Sequence, residues 1–306
     1  MYTTLIEVPD LTTHSRDADW VVLDCRFELG RPESGASAYA QGHIPNAIYA
    51  HLDRDLSSPV TSTSGRHPLP AVEAFVATLD RWGIDEKVQV VAYDQSNGAY
   101  ASRLWWLLRW VGHIRVAVLN GGFAAWQQAG LPLSKQSGVR QPRRFTANRT
   151  QTGVVSTAEL HELLAAGQLA SGERTLIDAR SADRFAGQNE TIDPVAGHVP
   201  GAGNHPFAHN LDAQGRFLQP QVLRSKWLET LHGQAPAAAI AMCGSGVTAC
   251  HNLLALEVAG LPGAQLYAGS WSEWIRDAAR PTERPARESP AGTRESPAET
   301  TEPPRK

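Results

Sequence analysis

Short β-branched apolar runs alternate with longer amphipathic ones along this chain, and each change of period marks a change of element. In the second half, residues 175–177 (Thr-Leu-Ile), 238–242 (Ala-Ala-Ile-Ala-Met) and 265–267 (Gln-Leu-Tyr) are short and largely apolar, which predicts buried strands. Between them Val247, Cys250, Leu254 and Val258 recur at helical spacing, and Gly260-Leu-Pro262 closes that helix. Ser156-x-x-Glu159 forms the capping box that opens an earlier helix. Strand–helix alternation predicts an α/β fold, each unit a mostly parallel sheet flanked by helices, with ligands at the carboxyl ends of the strands.

The same pattern is written twice. Trp-Val-Val-Leu-Asp-Cys-Arg followed by Gly-His-Ile-Pro-Asn-Ala, within residues 20–47, returns as Thr-Leu-Ile-Asp-Ala-Arg followed by Gly-His-Val-Pro-Gly-Ala within 175–202. The run ending at Asp94 matches the run ending at Cys243, an offset of 149 positions, and Trp126 matches Trp274 at 148. An interval this long implies duplication of a whole domain, not a solenoid. The expected units are residues 1–132 and 154–280, joined by a basic linker at 133–153 and followed by a disordered tail at 281–306. The linker carries Lys135, Arg140, Arg143, Arg144 and Arg149, and with Phe145 as its one aromatic it reads as a solvated connector rather than a nucleic-acid patch. The tail repeats Arg-Glu-Ser-Pro-Ala at 287–291 and 294–298 and is too polar to form a core.

Composition narrows the chemistry. A net charge of −3 gives no general attraction to nucleic acid or anionic membrane. No apolar run approaches ~18 residues, so no membrane span is expected. The first ten residues lack the basic and apolar regions of a signal peptide, and three cysteines without a C-x-x-C pair suit a reducing compartment, so the expected location is cytoplasmic. The eleven histidines show no ligand spacing, and neither a metal nor a cofactor is expected.

The segment Met242-Cys-Gly-Ser-Gly-Val-Thr-Ala249 concentrates the candidate chemistry. A strand ends at Cys243, two glycines follow, and a helix begins. The thiol is thereby placed above backbone N–H groups near a helix N-terminus, a setting that favours thiolate, the nucleophilic form. A buried cysteine in a tight turn is the plain alternative, but the glycines leave little bulk around the sulfur. Cys-x5-Arg phosphatases share the loop type and need an arginine six positions after the cysteine, where this chain has Ala249.

With its duplication, its two Asp-x-Arg…Gly-His-x-Pro signatures, the cysteine loop and Trp271-Ser-Glu-Trp274, the chain resembles the two-domain rhodanese-type sulfurtransferases over roughly residues 1–280. Gly244 and Ser245 directly after the cysteine are similar to the 3-mercaptopyruvate type, whereas thiosulfate-type members carry basic residues there. The resemblance implies that Cys243 takes sulfur from 3-mercaptopyruvate or thiosulfate as a persulfide. A thiophilic acceptor such as cyanide, a small thiol or a reduced thioredoxin then removes it. Loop amides of Gly244, Gly246, Val247 and Thr248 would hold the anionic sulfur.

It also implies that Arg184 binds the donor's anionic group, and that Ser245, His67 and Asp53 form a hydrogen-bonded trio at the interface of the two units. Tyr100 and Arg66 are further candidates for that cleft. Mercaptopyruvate-type members place a second arginine some nine residues after the first; here Glu190-Thr-Ile-Asp193 has no basic residue. Asp94 replaces the cysteine in the first copy, which is therefore expected to be catalytically silent. Asp24, Asp178, His43 and His198 occur in both copies and are assigned to the fold, while Cys25 and Cys250 are assigned to the core. A persulfide carrier that hands sulfur to a partner protein without steady-state turnover is the alternative function.

Overall fold

The computed structural model describes residues 1–14, 17–148 and 153–284. The first unit contains strands β1 (Leu5–Ile6), β2 (Trp20–Asp24), β3 (Ile48–Tyr49), β4 (Gln89–Tyr93) and β5 (Val116–Leu119). The second contains β6 (Val154–Val155), β7 (Thr175–Asp178), β8 (Gly203–Asn204), β9 (Ala239–Met242) and β10 (Gln265–Tyr267). The sheet orders are β1-β5-β4-β2-β3 and β6-β10-β9-β7-β8, the same order taken twice. Every pairing within them is parallel, as strand–helix alternation requires. Ser156 and Glu159 form the capping box in full at the start of helix Thr157–Ala165.

The two-residue period of a strand decides which way the chemistry points. In β4, Val90 and Ala92 join one apolar cluster while Val91 and Tyr93 join another. In β9, Ala239 and Ala241 face the first of these clusters and Ile240 and Met242 a third. The first cluster is shared between the units. Leu104, Trp105, Leu107 and Leu108 of helix Ala101–Trp110 meet Leu253, Leu254 and Leu256 of helix Thr248–Val258 there, and those two helices pack together. Cys243, next in the parity of Ala239 and Ala241, belongs to the shared cluster as well. The thiol therefore faces the seam between the units.

The basic segment read as a solvated connector is instead seated on the first unit over its described part. Ser134 exchanges backbone hydrogen bonds with His43 at 2.9 Å in each direction. Arg140 donates to the carbonyls of Ala18 and Trp20, Arg143 pairs with Asp19 and Asp85, and Phe145 is buried. The second unit repeats the strap, with Glu283 paired to His198. Residues 281–284 are thus tied to the second unit rather than belonging to a free tail; Arg149 and residues 285–306 lie outside the described residues. Among the described residues no helix is long and apolar enough to cross a membrane.

Candidate active site

In both units the Asp-x-Arg signature works as a loop anchor. Arg26 chelates Asp24 and donates to the Gly42 carbonyl at 2.8 Å, and Arg180 chelates Asp178 and donates to the Gly197 carbonyl at 2.8 Å. Each bidentate pair is buried and satisfied, and it fixes the Gly-His-x-Pro turn against the sheet. His43 stacks on Tyr39 and His198 on Phe185, both with ring centroids 3.8 Å apart. These recurring residues anchor the Gly-His-x-Pro turn in both copies.

Cys243 stands one residue beyond the carboxyl end of β9 and is 2% exposed, on the wall of a cavity of about 320 Å³ between the units. Its Sγ accepts the amide N–H groups of Ser245 at 3.4 Å and Gly246 at 3.1 Å. Val247, Thr248 and Gly244 line the same cavity, at the start of helix Thr248–Val258. Gly246 has φ +76°, and a Cβ there would sit 2.3 Å from the Ala268 carbonyl oxygen, so only glycine turns the loop this tightly. From the other side Ser270 Oγ accepts the Cys243 amide at 3.0 Å, and the Trp271 and Ser272 amides donate to the Cys243 and Gly244 carbonyls at 2.9 Å.

The first copy shows what such a nest holds. Asp94 is buried, and its carboxylate accepts amides of Ser96, Gly98, Tyr100 and Ala101 at 2.8–3.2 Å. Burial pushes its carboxyl up while the four amides pull the other way. Both loops thus turn backbone amides on the side chain at the tip of the strand, a carboxyl in one copy and a thiol in the other.

Residues 64–67 of the first unit reach this site by docking on helix Ser270–Trp274. The Gly65 and Arg66 amides donate to Glu273 at 3.3 Å and to Ser272 Oγ at 3.0 Å. A Cβ on Gly65 would lie 2.7 Å from the Gly269 carbonyl oxygen, so this approach also needs glycine. The next residue is His67. Its Nδ1 lies 2.8 Å from Ser245 Oγ and its Nε2 3.3 Å from Asp53 Oδ1, so the trio drawn from both units is assembled. Burial holds the imidazole below its ordinary range, and the hydrogen bond to His67 holds Asp53 low in turn. With its proton on Nε2 towards Asp53, the ring would accept from the Ser245 hydroxyl at Nδ1.

Arg184 lines the cavity, but it is not free. Its Nε and Nη2 are held by Glu190 at 2.8–3.1 Å, and Nη2 also by Asp193 at 3.1 Å. The second cation, absent from the segment after Arg184, arrives from the other unit: Arg66 pairs with Asp193 and overhangs Gly244. Tyr100 also lines the cavity, its ring edge-on to Phe27 at 5.4 Å.

Sequence reasoning missed Arg103. It lies fully buried on helix Ala101–Trp110, and it donates to the Gly246 carbonyl from Nη1 and the His67 carbonyl from Nη2, both at 3.1 Å. Burial lowers its guanidinium from the ordinary range. One cation within Ala-Ser-Arg-Leu-Trp-Trp-Leu-Leu was the available signal, since charge on a buried helix face needs partners. His251 reciprocates from helix Thr248–Val258, 2.9 Å from the Asn97 carbonyl of the first unit's loop. Cys250 is buried beneath the loop, its thiol donating to Gly246 O at 3.3 Å and pushed up to about 12 by burial. Cys25 is buried in the first unit and likewise raised. Among the described residues no group of His, Cys, Asp and Glu could hold a metal ion. A larger hollow of about 710 Å³ opens elsewhere on the second unit, beside His205 and Lys226, and contains no thiol.

The rhodanese-like domain matches this chain twice, at residues 7–129 and 156–277. The chain belongs to the rhodanese family. It is 46% identical over 279 residues to the "Probable 3-mercaptopyruvate sulfurtransferase" of Pseudomonas aeruginosa, covering 90% of this chain and 96% of that one. It is 32% identical over 264 residues to thiosulfate sulfurtransferase of Cricetulus griseus, covering 84% and 85%. The crystal structure of a 3-mercaptopyruvate sulfotransferase from Escherichia coli superposes with a TM-score of 0.75 at 31% identity, over 89% of this chain and all of that one. Like these relatives, this rhodanese-family chain is a sulfurtransferase.

Proposed function

We propose that the preferred donor is a monoanionic α-keto thiol, 3-mercaptopyruvate, with thiosulfate a poorer one. The Ser245–His67–Asp53 relay beside Cys243 carries this reading. The Cys243 thiolate attacks the donor sulfur, the S–S bond forms and the C–S bond breaks. The electron pair of that C–S bond leaves on pyruvate as an enolate, which needs a proton. Ser245 Oγ–H is the proton source, and His67 in its imidazolium form, reprotonated from solvent and stabilised by Asp53, returns a proton to Ser245 from Nδ1. Thiosulfate needs no such proton, because sulfite leaves as a stable dianion. After either donor the persulfide's terminal sulfur lies against the loop amides, in the place that Asp94 fills in the silent copy.

A thiophilic acceptor discharges it: cyanide in the test tube, and a small thiol or reduced thioredoxin in a reducing, cytoplasmic setting. Cys243 supplies the covalent step, the loop amides of Gly244, Gly246, Val247 and Thr248 the anion support, and Arg184 the donor contact. Side-by-side kcat/KM values with cyanide as acceptor test the donor assignment. The expected result favours 3-mercaptopyruvate; a larger value for thiosulfate would overturn it. Persulfide formation that cyanide cannot discharge would indicate the carrier instead.

A further inference from the structure

Two guanidiniums, one from each unit, converge over Gly244, and each presents one open edge to the cavity. Arg66 Nη2 lies 2.8 Å and Arg184 Nη1 3.8 Å from the position a Gly244 Cβ would occupy, and neither nitrogen has a protein hydrogen bond among the described residues. Their other edges are tied together. Asp193 gives Oδ1 to Arg66 and Oδ2 to Arg184, while Glu190 grips Arg184 and reaches Arg180 at 3.4 Å. Glu190 Oε1 also accepts the Ile192 and Asp193 amides at 2.9 and 3.0 Å, which fixes the carboxylates in turn. Both carboxylates have side chains only 2% exposed.

The charges count evenly. Arg66, Arg180 and Arg184 stand against Asp178, Glu190 and Asp193. The fork therefore offers directed N–H groups with no surplus positive charge. That suits one carboxylate, and it leaves a dianion facing two buried negative groups at short range.

We propose that Asp193 is the residue that selects the donor's charge: it cross-braces Arg66 and Arg184 into a fork for a monoanionic donor and disfavours a dianionic one. This rests on the sulfur-transfer reading of the cavity. Asp193→Asn keeps the shape and removes one negative charge. The ratio of kcat/KM for thiosulfate over 3-mercaptopyruvate is expected to rise about tenfold, through KM and not kcat. Arg66→Gln, on a partly exposed side chain, moves the balance the other way and should cost thiosulfate more than 3-mercaptopyruvate.

Binding of thiosulfate to the Cys243→Ser protein, with and without Asp193→Asn, gives a readout independent of turnover, and the Asn variant should bind more tightly. An unmoved donor ratio in folded Asp193→Asn, or unchanged thiosulfate binding, overturns the assignment of Asp193. Should Asp193→Asn not fold, equal losses for both donors in Arg66→Gln overturn it instead. Lack of turnover with either donor in the unaltered protein counts against the sulfur-transfer reading alone, because the binding comparison still decides on Asp193.

Discussion

Asp94 and Cys243 occupy the same station at the tip of a central strand, and backbone amides donate to the side chain of each. What differs is the atom: a carboxylate oxygen cannot carry sulfane sulfur, and a thiolate can. Around that atom the roles divide by chemistry. Loss of the Ser245 hydroxyl or the His67 imidazole removes a proton path that only the enolate-forming donor uses. Ser245→Ala and His67→Ala are therefore expected to lower kcat with 3-mercaptopyruvate by about tenfold to a hundredfold or more, and to leave thiosulfate turnover much less affected. Parallel losses for both donors would take the relay out of the mechanism. Cys243, Ser245, His67, Asp53 and Arg184 could all be named from motifs because each sits in a short signature. The tie from Arg184 to Glu190 and Asp193, and the arrival of Arg66 as the second cation, could not, since they depend on how the 64–67 loop docks across the seam.

At the scale of elements, strand parity turns the thiol towards the seam and two glycine contacts, at Gly65 and Gly246, let the loops close on each other. The helix pair Ala101–Trp110 and Thr248–Val258 then works reciprocally, each sending its polar side chain to the other copy's loop. Arg103 joins the Gly246 and His67 carbonyls, the bases of the sulfur loop and of the relay. Replacing it leaves buried carbonyls short of donors, at about 1–3 kcal/mol each. Arg103→Met is expected to lower both Tm and kcat, with Arg103→Lys intermediate because an ammonium cannot span the fork. Unchanged melting and turnover in Arg103→Met would show that the loops stand without it. Strands β7, β9 and β10 and helix Thr248–Val258 were legible from periodicity, and the start of helix Thr157–Ala165 from its capping box. The seating of 134–148 on the first unit was not, because hydrogen bonds to Asp19, Asp80 and Asp85 leave no mark in a pattern of apolar residues.

For the whole molecule, the shared apolar cluster makes the first unit a wall of the cavity beside Cys243 and a structural partner of the second. Buried histidines couple this packing to pH. Burial lowers His113 and His205 to about 4 and His251 to about 3, so below an unfolded pKa of about 6.5 the unfolded chain takes up protons that the folded one refuses. Stability should thus be flat in this contribution above about pH 6.5 and fall as pH drops towards 4, by up to about 1.4 kcal/mol per pH unit for each histidine. Urea melts across that range check it, and stability that rises on acidification would contradict it. The duplication itself could be read directly from offsets of 149 and 148 residues, and the repeated sheet order follows it. How the two copies divide the chemistry is the central claim, and intact-protein and peptide mass spectrometry after exposure to donor without acceptor tests it most directly. The account predicts one added sulfur atom per chain, on Cys243, released by cyanide as thiocyanate and absent from Cys243→Ser. Sulfur carried on Cys25 or Cys250, or retained by folded Cys243→Ser, would contradict it.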